Sequence, residues 1–286
     1  THCISSAASD VYKRQDLGHK FGWDQFRIKE FERNSDQDFY VLQNHHLPDV
    51  SKSKNSIKIE SDQGSLSFES NSGRLKQISF GGREFLASSP QLNVWRAPTD
   101  NDGVKAWIGN EEKNSSNLIS VSTLDRWLHS GLNQLKLTNK ICKVSEDFTS
   151  LNYGIDNGTK QIRFSEFEKN LDQSILQIEV EHQYSCGSIS NAFLHYIYWH
   201  VFPDLTLWIE NKVVVHEELN DLPRIGISFQ LQEGFKEFEW FGHGPHESYC
   251  DRMAGVRVGR FQSSVMDQYV PYIVPQEHGN LSLIHI

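Results

Sequence analysis

The sequence has little cysteine and no long apolar run. Its four cysteines, Cys3, Cys142, Cys186 and Cys250, are widely spaced and form no Cys-x-x-Cys pair. This spacing excludes a dense disulfide framework and argues against a zinc cluster, but it leaves room for one disulfide. No stretch approaches the ~18 apolar residues of a transmembrane helix. The N-terminus lacks the apolar core of a signal peptide, which leaves the compartment open between cytoplasm and periplasm.

Positive charge is also scarce. The chain has 28 Lys and Arg against 37 Asp and Glu, a formal net charge of −9, and no basic stripe. This balance argues against nucleic acid and anionic membrane as partners.

Three common catalytic or binding motifs are also absent from the sequence: the Gly-x-Ser-x-Gly elbow, the phosphate-binding glycine loop and the His-Glu-x-x-His helix of zinc hydrolases. The chemistry must therefore be sought in less common residue clusters.

Alternating apolar residues occur throughout the chain from residue 57. They predict strands separated by turns, one of them a hairpin at Gly81-Gly82. Phe193–Phe202 is apolar or aromatic on both faces, as in a strand between two layers. A short helix is allowed only at Asn117–Leu128. We predict an all-β fold, a large antiparallel β-sandwich. The clearest alternating rows are Ile57 and Ile59; Leu66 and Phe68; Leu176, Ile178, Val180, His182 and Tyr184; and Ile225, Ile227, Phe229 and Leu231.

The first polar cluster is Trp-Arg-Ala-Pro-Thr-Asp-Asn-Asp-Gly at residues 95–103. Placing Gly103 at the sixth position of an EF-hand would require an acid at Pro98 and a glutamate at Gly109, so this calcium loop is rejected. Asp and Asn also stabilise ordinary turns through their own backbone. The sequence does not decide between an ordinary loop and a loop that belongs to a functional site. Residues 103–117 are polar and lack a strand pattern, which suits a mobile flap.

The second polar cluster follows an apolar strand and occupies Trp240–Arg252. Gly242 and Gly244 allow backbone angles closed to other residues, and Pro245 fixes its own φ. Such a turn directs polar side chains off the end of a sheet. The alternative is a structural corner in which Glu247 pairs with Arg252. His243, His246 and Glu247 do not have the ligand order of zinc hydrolases, so no metal is predicted there.

The third cluster is the irregular segment Asp267–Asn280, which contains two prolines. Gln276, Glu277 and Asn280 could hold sugar hydroxyls. The alternative is a packed edge segment with polar ends.

Together these clusters resemble the C-terminal β-domain, or small chain, of the large bacterial β-galactosidases of glycoside hydrolase family 2. The resembling stretches are Trp95–Gly103, Phe241–Arg252 and Tyr269–Asn280, in family order. Trp23–Phe26 resembles the closing strand of the immunoglobulin-like domain that precedes it. Residues 1–15 and 281–286 instead resemble translated adapter sequence. The predicted divisions are an artefactual or disordered tail at 1–15, the last immunoglobulin-like strand at 16–30, a linker at 31–56, the sandwich at 57–280 and a tail at 281–286.

The resemblance implies a fragment of a larger retaining enzyme acting on lactose-type β-galactosides. Its sandwich would have the galactose-mutarotase-like supersandwich fold, incomplete at its C-terminus, with open sheet edges. The catalytic glutamate pair would lie in a TIM barrel outside this sequence, so no catalytic residue is expected here and the isolated fragment should be inactive. The family also implies Mg²⁺ and Na⁺ bound by absent domains, packing on the parent's own barrel, and a homo-oligomeric parent.

The resemblance assigns a substrate-pocket loop to Asp100, Asn101, Asp102 and Gly103. The remaining motif residues are expected to be structural or adjacent to the pocket: Arg96, His246, Glu247, Tyr249, Asp251, Arg252, Gln276, Glu277 and Asn280.

Two other functions fit parts of the sequence. The high aromatic content, 12% of residues, also suits a non-catalytic carbohydrate-binding module, because Tyr and Trp offer flat faces to sugar rings. A mutarotase-like sugar epimerase would need a histidine and an acid converging in one cleft. His195, His200 and His243 with Glu247 are the candidates for that arrangement.

Overall fold

The fold was analysed in a computed structural model. The structure describes residues 2–7, 20–26, 48–104, 122–145, 176–249, 251–274 and 276–281. The chain divides into two compact units, each described separately below. The first comprises Thr1–Phe39, Lys236–Tyr272 and Glu277–Ile286, and the second comprises Tyr40–Phe235 and Ile273–Gln276.

The second unit is built on two antiparallel sheets. The five-stranded sheet has the order β3-β4-β5-β6-β7, and the four-stranded sheet has the order β12-β11-β10-β9. A separate pair joins β8 to β13. The strands are β3 Asp49–Lys52, β4 Ser56–Glu60, β5 Gly64–Glu69, β6 Leu75–Phe80, β7 Arg83–Glu84, β8 Leu86–Asn93, β9 Lys136–Ser145, β10 Leu176–Cys186, β11 Ile189–Val201, β12 Leu207–Val215 and β13 Gly226–Leu231.

The first unit contains two strand pairs. β1 His2–Ala7 pairs with β2 Lys20–Phe26, and β14 Glu237–Gly244 pairs with β15 Arg257–Ser264. Both pairs are antiparallel. Strands predominate among the described residues, and every sheet that these strands form is antiparallel, so the predicted all-β sandwich is confirmed.

A continuous apolar seam joins the two large sheets. Ile57, Ile59 and Phe68 of the five-stranded sheet pack in one cluster with Ile178 and Trp199 of the four-stranded sheet. Each of these side chains is at most 1% exposed. Burying one such side chain contributes about 1.5–3 kcal/mol. The alternation seen in the sequence therefore marks the faces that hold the sandwich together.

The predicted hairpin at Gly81-Gly82 is confirmed. Both glycines have positive φ, 56° and 75°, which a two-residue hairpin turn requires and which side chains disfavour. Ser79 and Phe80 pair with Glu84 and Arg83 across it.

Two details differ from the sequence expectations. Leu194, Tyr196 and Tyr198 of β11 are half-buried, so this strand is not covered on both faces as expected. β3 lies within the predicted linker and pairs with β4. Its four residues are all exposed, so it carries no apolar alternation that could have identified it.

The predicted helix is observed in part, as α1 Thr123–His129; residues 117–121 lie outside the described chain. Ser122 caps it, because the Ser122 Oγ accepts a hydrogen bond of 3.1 Å from the Asp125 backbone N–H. Leu124 and Trp127 bury the inner face in a second apolar cluster with Leu92 and Phe193.

The β13 strand forms where the alternation predicted it, but its apolar row is exposed. The exposed fractions are 38% for Ile227, 55% for Phe229 and 46% for Leu231. In the register, Ile227 lies opposite Leu92 of β8, and Leu231 lies opposite Leu86. Leu86 and Leu92 are buried. The β13 residues opposite them lie on the same face of the strand pair but are exposed to solvent. Exposed apolar rows of this kind favour association with other protein surfaces.

Three buried histidines make the second unit sensitive to acid. Burial lowers the pKa of His200 from 6.5 to about 4. Burial also lowers the pKa of His182 and of His195, although hydrogen bonds to Ser72 and Asn211 partly offset this. The unfolded chain takes up these protons near pH 6.5, whereas the folded chain resists them. Stability should therefore fall as the pH drops from about 6.5 towards about 4.

We predict that His200→Leu flattens this acid-side loss. Each proton taken up only on unfolding costs about 1.4 kcal/mol per pH unit, and the variant removes one such proton. Urea unfolding followed by tryptophan fluorescence at intervals from pH 8 to pH 4 measures the slope, with pH 8 as the reference for the packing change. An unchanged slope below pH 6.5 would contradict the assignment.

Candidate functional site

A bidentate ion pair holds the loop that follows β8. Arg96 Nη1 lies 2.6 Å from Asp102 Oδ2, and Arg96 Nη2 lies 3.0 Å from Asp102 Oδ1. Thr99 adds two donors to Asp102 Oδ2, its backbone N–H at 2.7 Å and its hydroxyl at 2.9 Å. Arg96 Nε donates to the Pro223 carbonyl at 3.1 Å. The loop is therefore closed on itself and tied to a residue 127 positions away.

The charge on Asp102 is favoured by these contacts. Burial alone would raise the pKa of Asp102, but the hydrogen bonds from Arg96 and Thr99 outweigh it and hold that pKa below its ordinary value. Asp102 is 7% exposed. Because both carboxylate oxygens already accept hydrogen bonds, Asp102 acts as a structural anchor of the loop.

Aromatic residues and a helix support the same loop. The Arg96 guanidinium lies 5.0 Å from the centre of the Trp127 ring, and Trp95 packs edge-on against Trp127 at 6.1 Å. Gly103 ends the short 3₁₀ turn Asp100–Asp102 with φ of 102°, a region that favours glycine. A Cβ on Gly103 would approach the Ser122 Cβ to 2.5 Å. Gly103 is thus required both for its backbone angle and for close packing on the α1 cap.

The two pocket-loop residues that remain are Asp100, which is half-buried, and Asn101, which is exposed. They lie between Thr99 and Asp102, which are joined to each other by two hydrogen bonds, so their backbone is held from both sides. The predicted flap begins at Gly103 and lies mostly outside the described residues, at 105–117.

A tight corner follows β14 in the first unit. Phe238, Trp240 and Phe261 form a row of rings with centroid separations of 5.2 and 5.5 Å. A Cβ on Gly244 would meet the Phe261 ring at 2.7 Å. Neither Gly242 nor Gly244 has positive φ, so neither glycine uses the backbone freedom that its missing side chain allows. Gly244 is instead needed because an aromatic ring packs against its backbone.

Glu247, Arg252 and Tyr272 form a closed polar triad beyond this corner. The Tyr272 hydroxyl donates to Glu247 Oε1 at 2.8 Å and accepts from Arg252 Nη1 at 2.8 Å. Arg252 Nη2 lies 3.4 Å from Glu247 Oε2. The Arg252 guanidinium also lies 4.7 Å from the Tyr249 ring centre. The hydrogen bond with Tyr272 raises the pKa of Arg252, and Glu247 contributes to the same shift.

The pairing of Glu247 with Arg252 that the sequence suggested is observed in this triad. The triad also joins the second polar cluster to the third. The Ser248 backbone N–H donates to the Asn280 carbonyl at 2.8 Å, and Asn280 Nδ2 donates back to the Ser248 carbonyl at 3.2 Å. The corner is therefore held by backbone and side-chain contacts to the segment that ends at Asn280.

The other predicted residues of these clusters lie towards solvent. His246, Asp251 and Gln276 are exposed, and Tyr249 and Glu277 are half-buried. Asp251 Oδ1 is 3.9 Å from Arg252 Nε, a distance that adds little at an exposed position. Gln276 belongs to the second unit and Glu277 to the first.

The epimerase alternative loses its main candidates. His195 faces the core of the sandwich, is fully buried, and lies 2.9 Å from Asn211 Oδ1. His200 is five residues further along the same strand and therefore on the opposite face, at 1% exposure. The two cannot converge in a cleft. Both carboxylate oxygens of Glu247 are already engaged by Tyr272 and Arg252.

Among the described residues, no three His, Cys, Asp or Glu side chains converge in a group suited to a metal ion. No helix in the same part of the chain has the length and apolar character to cross a membrane.

The sequence analysis missed Tyr272 and Trp127, which complete the two clusters. Tyr272 lies in an irregular segment 25 residues from Glu247. Trp127 lies on the predicted short helix, which contains none of the motifs that indicated a functional site. The available clue was aromatic enrichment next to Arg96 and Arg252, since guanidinium groups stack on aromatic rings.

Asp102→Asn should destabilise the second unit by about 1–3 kcal/mol, because it leaves the Arg96 charge without its carboxylate. Urea unfolding measures the loss. The exposed Asp62→Asn is the matched control and should stay within about 0.5 kcal/mol of the parent. Equal stability of the two variants would show that the ion pair does not hold the loop.

Tyr272→Phe should destabilise the first unit by about 1 kcal/mol, because its hydroxyl makes two hydrogen bonds in the triad. Tyr269→Phe is the control: Tyr269 is 64% exposed, and its ring packs edge-on against His278. Thermal unfolding of both variants compares the two hydroxyls. If both substitutions shift unfolding equally, the triad has no special role.

Comparison with known proteins places this arrangement in a family. The family model described as beta galactosidase small chain matches residues 60–284. A β-galactosidase from Vibrio cholerae is 27% identical over 233 residues, covering 82% of this chain and 20% of the relative. One from Priestia megaterium is 25% identical, covering 81% and 18%. One from Pseudoalteromonas haloplanktis is 22% identical, covering 91% and 22%.

The chain thus spans about one fifth of the length of these relatives. The matched span contains the Arg96–Asp102 loop, the polar triad, the four-stranded sheet, and strands β5, β6 and β7 of the five-stranded sheet. The chain belongs to the β-galactosidase small-chain family.

Proposed function

We propose that this chain is part of an enzyme that hydrolyses terminal β-galactosides of the lactose type with retention of configuration. The observation that carries the proposal is the family match over residues 60–284, together with relatives named β-galactosidase. Retaining hydrolysis requires two carboxyl groups about 5–5.5 Å apart. We place that pair outside the described residues, in a barrel of the parent polypeptide against which this sandwich packs.

The contribution of this segment is the loop Asp100–Gly103. Asp102 is committed to Arg96, and Asn101 is the exposed polar side chain of this loop that would contact sugar. The support is geometric: Thr99, which precedes the short turn, is hydrogen-bonded to Asp102 at the end of the turn, and the left-handed Gly103 follows directly. A loop ordered before binding loses less entropy when a substrate arrives. The Mg²⁺ and Na⁺ implied by the resemblance would be held by other domains of the parent enzyme.

The direct test is the hydrolysis of nitrophenyl β-galactoside by this chain and by the longer polypeptide that contains it. We expect turnover only by the longer protein, with β-galactose as the first anomer in a proton NMR time course. Turnover by the 286-residue chain would contradict the proposal, as would initial release of α-galactose. Galactoside binding by the chain without turnover of the longer protein would favour a carbohydrate-binding module instead.

In the longer protein, Asn101→Ala should raise KM about tenfold, the effect of losing roughly one hydrogen bond to substrate. Asp62→Asn, on an exposed turn of the sandwich, should leave both KM and kcat unchanged. An unaltered KM for the Asn101 variant would remove this loop from the substrate site while leaving the proposed reaction in place.

A further inference from the structure

One side chain of β2 makes a two-point contact with the backbone of β15. Gln25 Nε2 donates to the Val258 carbonyl at 2.8 Å, and the Val258 backbone N–H donates to Gln25 Oε1 at 2.7 Å. The two residues are 233 positions apart. Both hydrogen bonds are partly buried. A single amide group therefore satisfies both backbone groups of Val258.

The backbone N–H and carbonyl of Val258 are the groups that would form hydrogen bonds with a further strand on this side of β15. In an antiparallel ladder, the N–H and C=O of one residue point to the same side of the strand. Val258 lies opposite His243 of β14, and its two groups bind Gln25 instead. β14 is the neighbour of β15 within the described sheet. The Gln25 amide thus takes the place of a peptide group on the other edge of β15.

We propose that this edge of β15 is a docking surface for the segment Lys20–Phe26, and that Gln25 is its recognition residue. The partner is the part of the polypeptide that precedes the predicted linker. The segment lies in the same compact unit as β14 and β15. Asp24 and Phe26 beside Gln25 are exposed, with Phe26 at 55%.

A glutamine suits this role because its amide holds a donor and an acceptor side by side. Glutamate lacks the donor and would place a charge against the Val258 carbonyl. Methionine has similar length but offers neither group. An unpaired edge strand also tends to join foreign strands, so a side-chain amide fixes one specific neighbour at one register.

The docking also bears on the polar corner. His243, opposite Val258, is followed by Gly244, where β14 ends and the chain turns towards Glu247. The contact therefore holds the strand pair at the base of the corner. We infer that the junction between the preceding segment and the small-chain domain is a specific contact rather than a tether alone. This inference does not depend on the proposed reaction.

Amide hydrogen exchange of Val258, read by NMR in the whole chain, tests the proposal. Exchange should be about tenfold faster in Gln25→Ala and Gln25→Met, because the amide loses its acceptor and opens locally. Gln25→Glu keeps an acceptor and should fall between these variants and the parent. Gln91→Ala, at an exposed position on β8, should leave the Val258 rate unchanged.

Two results would overturn the proposal. One is a Val258 amide that exchanges at the parent rate in both Gln25→Ala and Gln25→Met. The other is a general acceleration along β14 and β15 that is equal in the alanine and glutamate variants, since this would mean loss of packing rather than of a specific acceptor.

Discussion

The buried ion pair between Arg96 and Asp102 is the interaction on which the candidate loop depends. It fixes the backbone from Arg96 to Gly103 through five short contacts and seats the guanidinium near Trp127. Buried charge pairs cost desolvation, which is offset only when the remaining hydrogen-bonding groups are satisfied. Asp102 meets that condition because Arg96 and Thr99 together fill both its oxygens.

The two polar clusters use their carboxylates in the same way. Asp102 binds Arg96, and Glu247 binds Arg252 and Tyr272. An acid held between two donors is poorly suited to exchange protons with a substrate. The geometry therefore supports a domain that orders loops and joins segments, and it agrees with the proposal that the reacting carboxyl groups lie elsewhere in the parent enzyme.

Much of the sandwich could be predicted from the sequence because its core strands alternate. The rows containing Ile57, Phe68 and Ile178 marked the buried seam, and the glycine pair marked the hairpin. β3 could not be predicted, because all its residues are exposed and its pairing with β4 leaves no apolar pattern. The exposure of the Phe229 side chain could not be predicted either, because alternation shows that a strand has an apolar face but not what covers that face.

The sequence located both polar clusters, but it could not assign their chemistry. The resemblance placed Asp102 in the substrate-pocket loop. Its structural role could not be predicted, because it depends on the position of Arg96, which is held by contacts with Pro223 and Trp127 that are distant in the sequence. Glu247 could be paired with Arg252 from local spacing, whereas Tyr272 arrives through an irregular segment with no periodic signal. Contacts between residues distant in the sequence therefore determine whether each carboxylate is held in a structural contact or is accessible to a ligand.

The central claim, that this chain is a segment of a larger β-galactosidase, is tested most directly by determining the genomic sequence on both sides of its coding region. The account predicts one continuous reading frame several times longer, with an upstream barrel that carries two glutamates. Native start and stop codons close to the present ends would contradict it.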